Sequence, residues 1–440
     1  MLFRSLMPSQ RFVIASTSAS GIAKGGLVFG GDGWYVKAKG RDPFANLDVT
    51  GKIVLYYKGS TRPADVTTKD ITGKLGEDWD TPVTYAARKG AAGVVFLPGG
   101  EYRESWNFFR RFVAGTQLSP TKFRPAEQQS ASIPVIYASP EFAEELLKEE
   151  PTTVLRLEKD ISDSKPQRSF ELSKEKSLTL NVIMKREIAT TQNVVGILEG
   201  SDDRLKSEFV GVSAHIDHLG RTAGDKGDIY NGADDDGSGT VGVLSLAEAF
   251  SHSRHHPKRS LIFIWHTGEE SGLWGSRYMT HYPTFPFQSL TSLINIDMIG
   301  RSKHDGDTNP RNKNLTTENE IYVIGSTMMS TELGDICRQV NEKYLKLSYN
   351  FKYDAPGDPE RLFFRSDHYN YAVAGVPILF YFDGVHEDYH RVTDKADKID
   401  YTKMEKITRT IYKTLVEIGN RRNRVVVDKK LQKAFSNEGD

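Results

Sequence analysis

The chain is poor in three things. It has a single cysteine, Cys337, among 440 residues, which excludes a disulfide framework within the chain and any thiolate cluster for zinc. It has no charge of one sign to spare: 58 lysines and arginines balance 58 aspartates and glutamates. No nucleic acid is therefore expected as a partner, since the overall balance leaves no electrostatic footprint for one. It has no apolar run approaching the ~18 residues of a spanning helix, so no membrane span is expected. The opening Met1-Leu2-Phe3-Arg4-Ser5-Leu6-Met7-Pro8 lacks the apolar stretch of about 7–15 residues that marks a signal peptide. Two expectations fit that start: an intracellular protein, or a chain that begins after a missing segment. Residues 25–33 are rich in glycine but lack the G-x-x-x-x-G-K-[ST] pattern that cradles phosphate.

What is present divides into two rhythms. At roughly 150 residues per domain the length predicts two or three domains. Residues 26–58 alternate glycine turns with short apolar runs and end in a buried strand over 51–57. Strands are expected again over 93–97 and 133–137, with helices over 85–89 and 140–150. Composition then turns polar through Asp160, Ser162, Asp163, Ser164, Lys165 and Pro166, as a linker does. Beyond it, residues 193–198, 209–214, 261–265, 293–296, 321–324 and 376–382 are continuous apolar runs, with helical stretches over 241–250, 330–344 and 401–421. Non-alternating strands separated by helices predict an α/β domain, a mostly parallel mixed sheet covered by helices on both faces. The expected boundaries are an N-terminal segment over 1–30, a smaller strand-rich domain over 31–157, a linker over 158–175, the α/β domain over 176–425 and a polar tail over 426–440.

Ligands in such sheets bind outside the carboxyl ends of the strands. Four of the expected strands run there into metal-type residues. One enters His215-Ile-Asp217-His218, the next His266-Thr-Gly-Glu269-Glu270, the third Asp297, and the last Asp383-Gly-Val-His386-Glu-Asp388-Tyr389-His390. Asn231-Gly-Ala-Asp234-Asp235-Asp236-Gly-Ser-Gly239 adds an acidic turn before a helix. Crowded carboxylates repel one another unless cations sit among them. Imidazoles with carboxylates and no thiolate suit zinc, cobalt or manganese. A two-metal site needs one carboxylate shared between the ions and another left free to carry a proton. Adjacent Glu269 and Glu270 offer one group as base and one as ligand.

Those strings, with Asn295-Ile-Asp297-Met298, Ser366-Asp367-His368 and Asp388-Tyr389-His390, stand in the order seen in family 28 of the metallopeptidases. The chain resembles that family, the two-zinc aminopeptidases related to glutamate carboxypeptidase and the transferrin receptor, over about residues 176–420. The first unit resembles a protease-associated domain, from Asp48-Val-Thr-Gly-Lys-Ile-Val-Leu through Ala91-Ala-Gly-Val-Val-Phe-Leu. The resemblance implies a zinc exopeptidase, most simply an aminopeptidase, with a peptide substrate, two zinc ions per chain (cobalt or manganese as substitutes) and an exported location. It implies His215 and Asp297 on one zinc, Glu270 and His390 on the other, and Asp234 bridging both. Glu269 would be the general base, Tyr389 a donor to the oxyanion, and Asp217 the partner that orients His215. The family's cis peptide would fall at Asp234–Asp235. Asp235, Ser366, Asp367, His368 and His386 would line the substrate pocket or stand behind the ligands.

Competing readings have their own signatures. His386-Glu-Asp-Tyr-His390 matches H-E-x-x-H, which makes a one-zinc protease only on a helix, and here it follows a strand and Gly384. Ser366-Asp367-His368 lacks the G-x-S-x-G elbow of a serine hydrolase. A glutaminyl-cyclase-like acyltransferase would use one metal, and His215 with Asp297 argue for a second. A carboxypeptidase would need a basic pocket, for which Arg301, Arg361 and Arg365 are the candidates. Nothing in the sequence sets the oligomeric state.

Overall fold

The computed structural model describes residues 11–57, 62–63, 65–71, 73–99, 106, 121–123, 133–163, 165, 167–185, 187–221, 227–355 and 357–431. The expected features over 1–8 and 432–440, and the polar residues Ser164 and Pro166, lie outside them. Two compact units emerge, Met1–Ile188 and Ala189–Asp440.

The first unit is built on β1 Phe12–Ile14, β2 Gly21–Phe29, β3 Tyr35–Val36, β4 Ile53–Tyr57, β5 Trp79–Asp80, β6 Gly93–Leu97, β7 Val135–Ala138, β8 Phe170–Glu171 and β9 Ser177–Val182. Strands β2, β4, β6 and β7 run parallel, with β1, β8 and β9 joining antiparallel. The two-residue strands β3 and β5 pair separately. The period of two in β4 divides its side chains between two cores. Ile53 and Leu55 meet Phe142 and Leu146 of helix α2, Pro140–Leu146, and Leu157 of α3, Val154–Ser162. Val54 and Tyr56 meet Tyr85 of α1, Pro82–Arg88, on the other face. Helix α2 starts where it does because Ser139 accepts from the amide of Phe142 (3.1 Å) and Pro140 fills the first position.

The expected boundaries move. Residues 158–175 are no linker: they hold the end of α3 and strand β8, and β8 and β9 both pair with β2. The division between the units falls after Ile188 instead. Residues 12–29 belong to the same sheet, so the N-terminal segment expected over 1–30 is part of this unit. Polar composition misleads there because a two-residue strand has no periodicity of its own. It exists only through pairing with residues more than 140 positions away.

The second unit has a seven-stranded sheet in the order β10-β12-β11-β13-β16-β14-β15. Its strands are β10 Val194–Leu198, β11 Phe209–His215, β12 Ser260–His266, β13 Leu290–Ile296, β14 Glu320–Ile324, β15 Ser348–Asn350 and β16 Ile378–Phe382. The central four, β12, β11, β13 and β16, are parallel, while β10 and β14 join antiparallel. Helices α4 Gly237–Ser251, α5 Trp274–His281, α6 Thr331–Lys343, α7 His368–Val373 and α8 Tyr401–Asn420 cover the two faces. Val210, Val212, Phe263 and Ile294 pack with Leu246, Ile336 and Ile411 of α4, α6 and α8. Ile262, Ile264 and Leu293 pack with Met279 of α5 and Tyr371 of α7. Each such side chain, fully buried, contributes about 1.5–3 kcal/mol. This is the α/β architecture expected from the sequence. Among the described residues no helix is long and apolar enough to cross a membrane.

Candidate metal centre and active site

The parallel strands bring their carboxyl ends to one rim, and the candidate residues follow directly. His215 ends β11. Its Nδ1 lies 3.0 Å from the backbone carbonyl oxygen of Asp217, so Nε2 is turned toward the carboxylates. That Nε2 stands 3.4 Å from Asp235 Oδ1, 3.7 Å from Asp297 Oδ2 and 3.8 Å from Glu269 Oε2. On the other side, His390 Nε2 lies 3.2 Å from Asp235 Oδ2 and 3.1 Å from Glu270 Oε2. The two oxygens of Asp235 therefore face two different imidazoles.

This arrangement corrects the reading of the acidic turn. The carboxylate expected between two ions was that of Asp234, but Asp234 points away from the cluster. Its Oδ1 accepts from the Gly300 amide (2.7 Å) and its Oδ2 lies 3.2 Å from His386 Nε2. Asp235 takes the central position. Asp236 does something different again. Its Oδ1 accepts from the Gly239 and Met298 amides, capping α4, while its Oδ2 accepts from the His215 amide. The cap also explains why α4 begins at Gly237, earlier than its apolar periodicity suggests. A Cβ on Gly239 would lie 2.6 Å from the Ile296 carbonyl oxygen, so no larger residue fits between helix and strand. The cis peptide is Asp235–Asp236, one bond later than expected.

Other expected residues are displaced too. The Asp217 carboxylate does not hold His215: it lies 3.9 Å from Nδ1 and accepts instead from the amides of Glu269 (3.1 Å) and Glu270 (3.3 Å). It fixes the turn that presents both glutamates. Ser366, Asp367 and His368 are buried beneath the cleft rather than lining it. Ser366 accepts from Asn295 Nδ2 (2.8 Å), Asp367 lies 3.3 Å from His266 Nδ1, and His368 donates from Nε2 to the Phe363 carbonyl (2.8 Å). His386 is buried against Asp234, and residues 387–390 form a turn rather than a helix, which removes the H-E-x-x-H reading. One residue given no role by its sequence enters the site: His218 Nδ1 lies 2.6 Å from Glu270 Oε1. Its only signal was its place in His215-Ile-Asp217-His218.

The cleft beside the cluster is half acidic and half apolar. Asp235, Glu269, Glu270, Asp297 and His390 line it together with Met298, Leu362, Phe380, Phe382 and Val385. Tyr389 and Arg365 also line it, with the Arg365 guanidinium 3.3 Å from the Tyr389 hydroxyl.

Charge in the cluster is unbalanced. Burial pushes the Glu269 carboxyl well above the usual range, with Asp297, Asp367 and Glu270 adding to it against the pull of His215. Burial likewise raises Asp297. It would depress His215, but Glu269 and Asp297 hold that imidazole well above its ordinary value. His215 Nε2, Asp235 Oδ2, Glu270 Oε1 and His390 Nε2 are buried without a well-formed hydrogen bond. Orphaned polar atoms of this kind are costly unless something binds them. Ligand atoms of His215, Glu269 and Asp297 lie within 4.8 Å of one another, as do those of His218, Asp235 and Glu270. Imidazole and carboxylate donors at that spacing fit a pair of divalent cations. His215 and Asp297 could hold one, Glu270 and His390 the other, with Asp235 between.

Residues 193–415 match the model of Peptidase family M28, just over half of the chain. The chain belongs to peptidase family M28. It is similar to a probable zinc metalloprotease of Pyrenophora tritici-repentis, 33% identical over 141 residues, or 32% of each chain. It is 30% identical to leucine aminopeptidase 2 of Arthroderma otae over 152 residues, covering 33% of this chain and 28% of that one. The chain thus spans between a quarter and a third of the length of the curated relatives it matches. Among solved structures, an aminopeptidase from Aneurinibacillus sp. strain AM-1 has the same fold, with a TM-score of 0.53 at 17% identity over 96% of this chain and 82% of that one.

Proposed function

We propose that this M28 chain is a two-zinc aminopeptidase that removes N-terminal residues, apolar ones by preference, from peptides. One observation carries the reading: the two oxygens of Asp235 face His215 and His390 from opposite sides, with Asp297 and Glu270 beside them. The names of the relatives, zinc metalloprotease and leucine aminopeptidase, support zinc and a free N-terminus in the substrate.

Divalent cations bound there would polarise the scissile carbonyl and lower the pKa of a water molecule toward neutrality. The remaining work falls to side chains. Glu269 is the acidic group of the cleft left over once Asp235, Glu270 and Asp297 serve as ligands, and cations bound beside it would offset the burial that raises its carboxyl and keep it ionised. It takes a proton from the attacking water and returns it to the leaving amine. The Tyr389 hydroxyl, steadied by Arg365, donates to the carbonyl oxygen as charge builds on it. Met298, Leu362, Phe380, Phe382 and Val385 receive an apolar side chain. The first unit is read as a protease-associated domain on its stretch from Asp48 to Leu97.

Metal analysis together with turnover of aminoacyl-p-nitroanilides tests this reading. Two zinc ions per chain are expected, with leucyl substrates cleaved far faster than glutamyl ones and N-acetylated peptides left intact. Asp235→Ala should lose zinc and turnover together. One zinc per chain with cyclisation of N-terminal glutamine, or ready cleavage of N-acetylated peptides, would overturn it.

A further inference from the structure

Behind the ligands lies a second layer of charge that the proposed chemistry does not use. Asp394 is fully buried, four residues after His390. Its Oδ2 accepts from two successive amides, those of Asp234 (3.0 Å) and Asp235 (3.2 Å). A carboxylate on the segment that carries His390 thus grips the peptide that carries Asp235. Arg301, four residues after Asp297, is also buried. Its Nη2 donates to Asp388 Oδ2 (2.9 Å), two residues before His390, and its Nη1 lies 3.8 Å from Asp394 Oδ1. Lys403, itself buried, donates to the Arg301 carbonyl oxygen (2.6 Å) and holds that backbone.

We propose that Asp394 and Arg301 form a buried ionic tie that joins the segments after β13 and β16 to the turn before α4, and so positions Asp235 and His390 for the metal pair. This inference rests on the metal-centre reading above. Neither residue lines the cleft or touches substrate, so both are positioning residues. The physical case is preorganisation. Asp235 and His390 sit on turns, where nothing in the sheet ladder fixes them. Without a grip on the amides of Asp234 and Asp235, those turns would have to be ordered each time metal binds. Partners one shell out from a metal commonly change affinity by about 10–100-fold.

Zinc affinity, measured by competition with a fluorescent chelator, and melting of the zinc-free full chain separate this role from plain stability. Asp394→Ala is expected to weaken zinc binding about 10–100-fold and, at saturating zinc, to lower kcat while the KM for leucyl-p-nitroanilide changes little. Asp394→Asn keeps an oxygen that can accept both amides and should recover most of the affinity. Leu415→Ala, a buried substitution in α8 twelve residues beyond Lys403, supplies the control for an equal loss of melting temperature. Should Asp394→Ala fail to fold, Arg301→Lys keeps the charge but loses the fork, and is expected to weaken zinc about 10-fold. Wild-type zinc affinity in Asp394→Ala, or in Arg301→Lys where Asp394→Ala does not fold, or a loss no greater than that of Leu415→Ala, overturns the tie. Wild-type protein that binds no zinc overturns the metal centre itself.

Discussion

The two units are built on the same plan and differ in what they place at its edge. Each has four parallel strands flanked by antiparallel ones and helices on both faces. In the first unit β2, β6 and β7 run out into Gly30, Pro98 and Ser139. In the second the parallel strands run out into His215, the turn to Glu269 and Glu270, Asp297, and the segment leading to His390. Cores of similar kind support a chemically plain rim in one case, among the described residues, and a dense cluster of acid and imidazole in the other. Architecture fixes where a site can be, and the residues just past the strands decide whether there is one.

The sharpest way to test that contrast is at the rim of the second unit. Glu269→Gln removes the proton carrier while keeping the shape. It should cost about 10²–10⁴-fold in kcat and leave two zinc ions bound; loss of zinc with turnover would make Glu269 a ligand instead. A smaller effect separates scaffold from site. Leu55→Ala in the first unit and Ile294→Ala in the second each empty a fully buried position, at about 2–5 kcal/mol of stability. Thermal melts should show comparable losses, but only Ile294→Ala, two residues from the end of β13, should also weaken zinc. Equal zinc loss from both would break the comparison.

The mildest effect concerns acid. Burial holds the His368 imidazole down to about 3, against 6.5 for the free group. Below pH 6.5 the unfolded chain takes up a proton that the folded one refuses, so stability is lost as the pH falls from 6.5 toward 3. Denaturant titrations at pH 6.5 and 4.5 should show His368→Gln losing about 2–3 kcal/mol less than wild type over that interval. An unchanged acid sensitivity would mean that His368 is not kept neutral by the fold.

The sequence made the second unit's strands legible because they are buried on both faces and read as unbroken apolar runs. That same property pointed to His215, Glu269, Glu270, Asp297 and His390, each lying just beyond a run or a glycine turn. Three consecutive aspartates carry no such pointer. Which of Asp234, Asp235 and Asp236 enters the cluster depends on the direction in which each peptide of the turn faces, and the order of residues does not encode that. The Ser366-Asp367-His368 string left two places open, the pocket lining or the layer behind the ligands, and its order does not choose between them. Polar residues suggest a wet pocket, yet these three meet their partners, Asn295, His266 and the Phe363 carbonyl, in the packed interior. Asp394 carried no motif at all, since its importance lies in two backbone amides 159 and 160 residues away.

The parallel run of β12, β11, β13 and β16 leaves the second unit with a chemically idle end. The connections into the starts of β11 and β12 carry none of the candidate ligands, and His252, Arg254 and His255 are open to solvent there. An affinity handle or surface attachment at that end would leave the candidate metal site of this unit facing outward, which makes it the natural place from which to hold the protein while its proposed turnover is assayed.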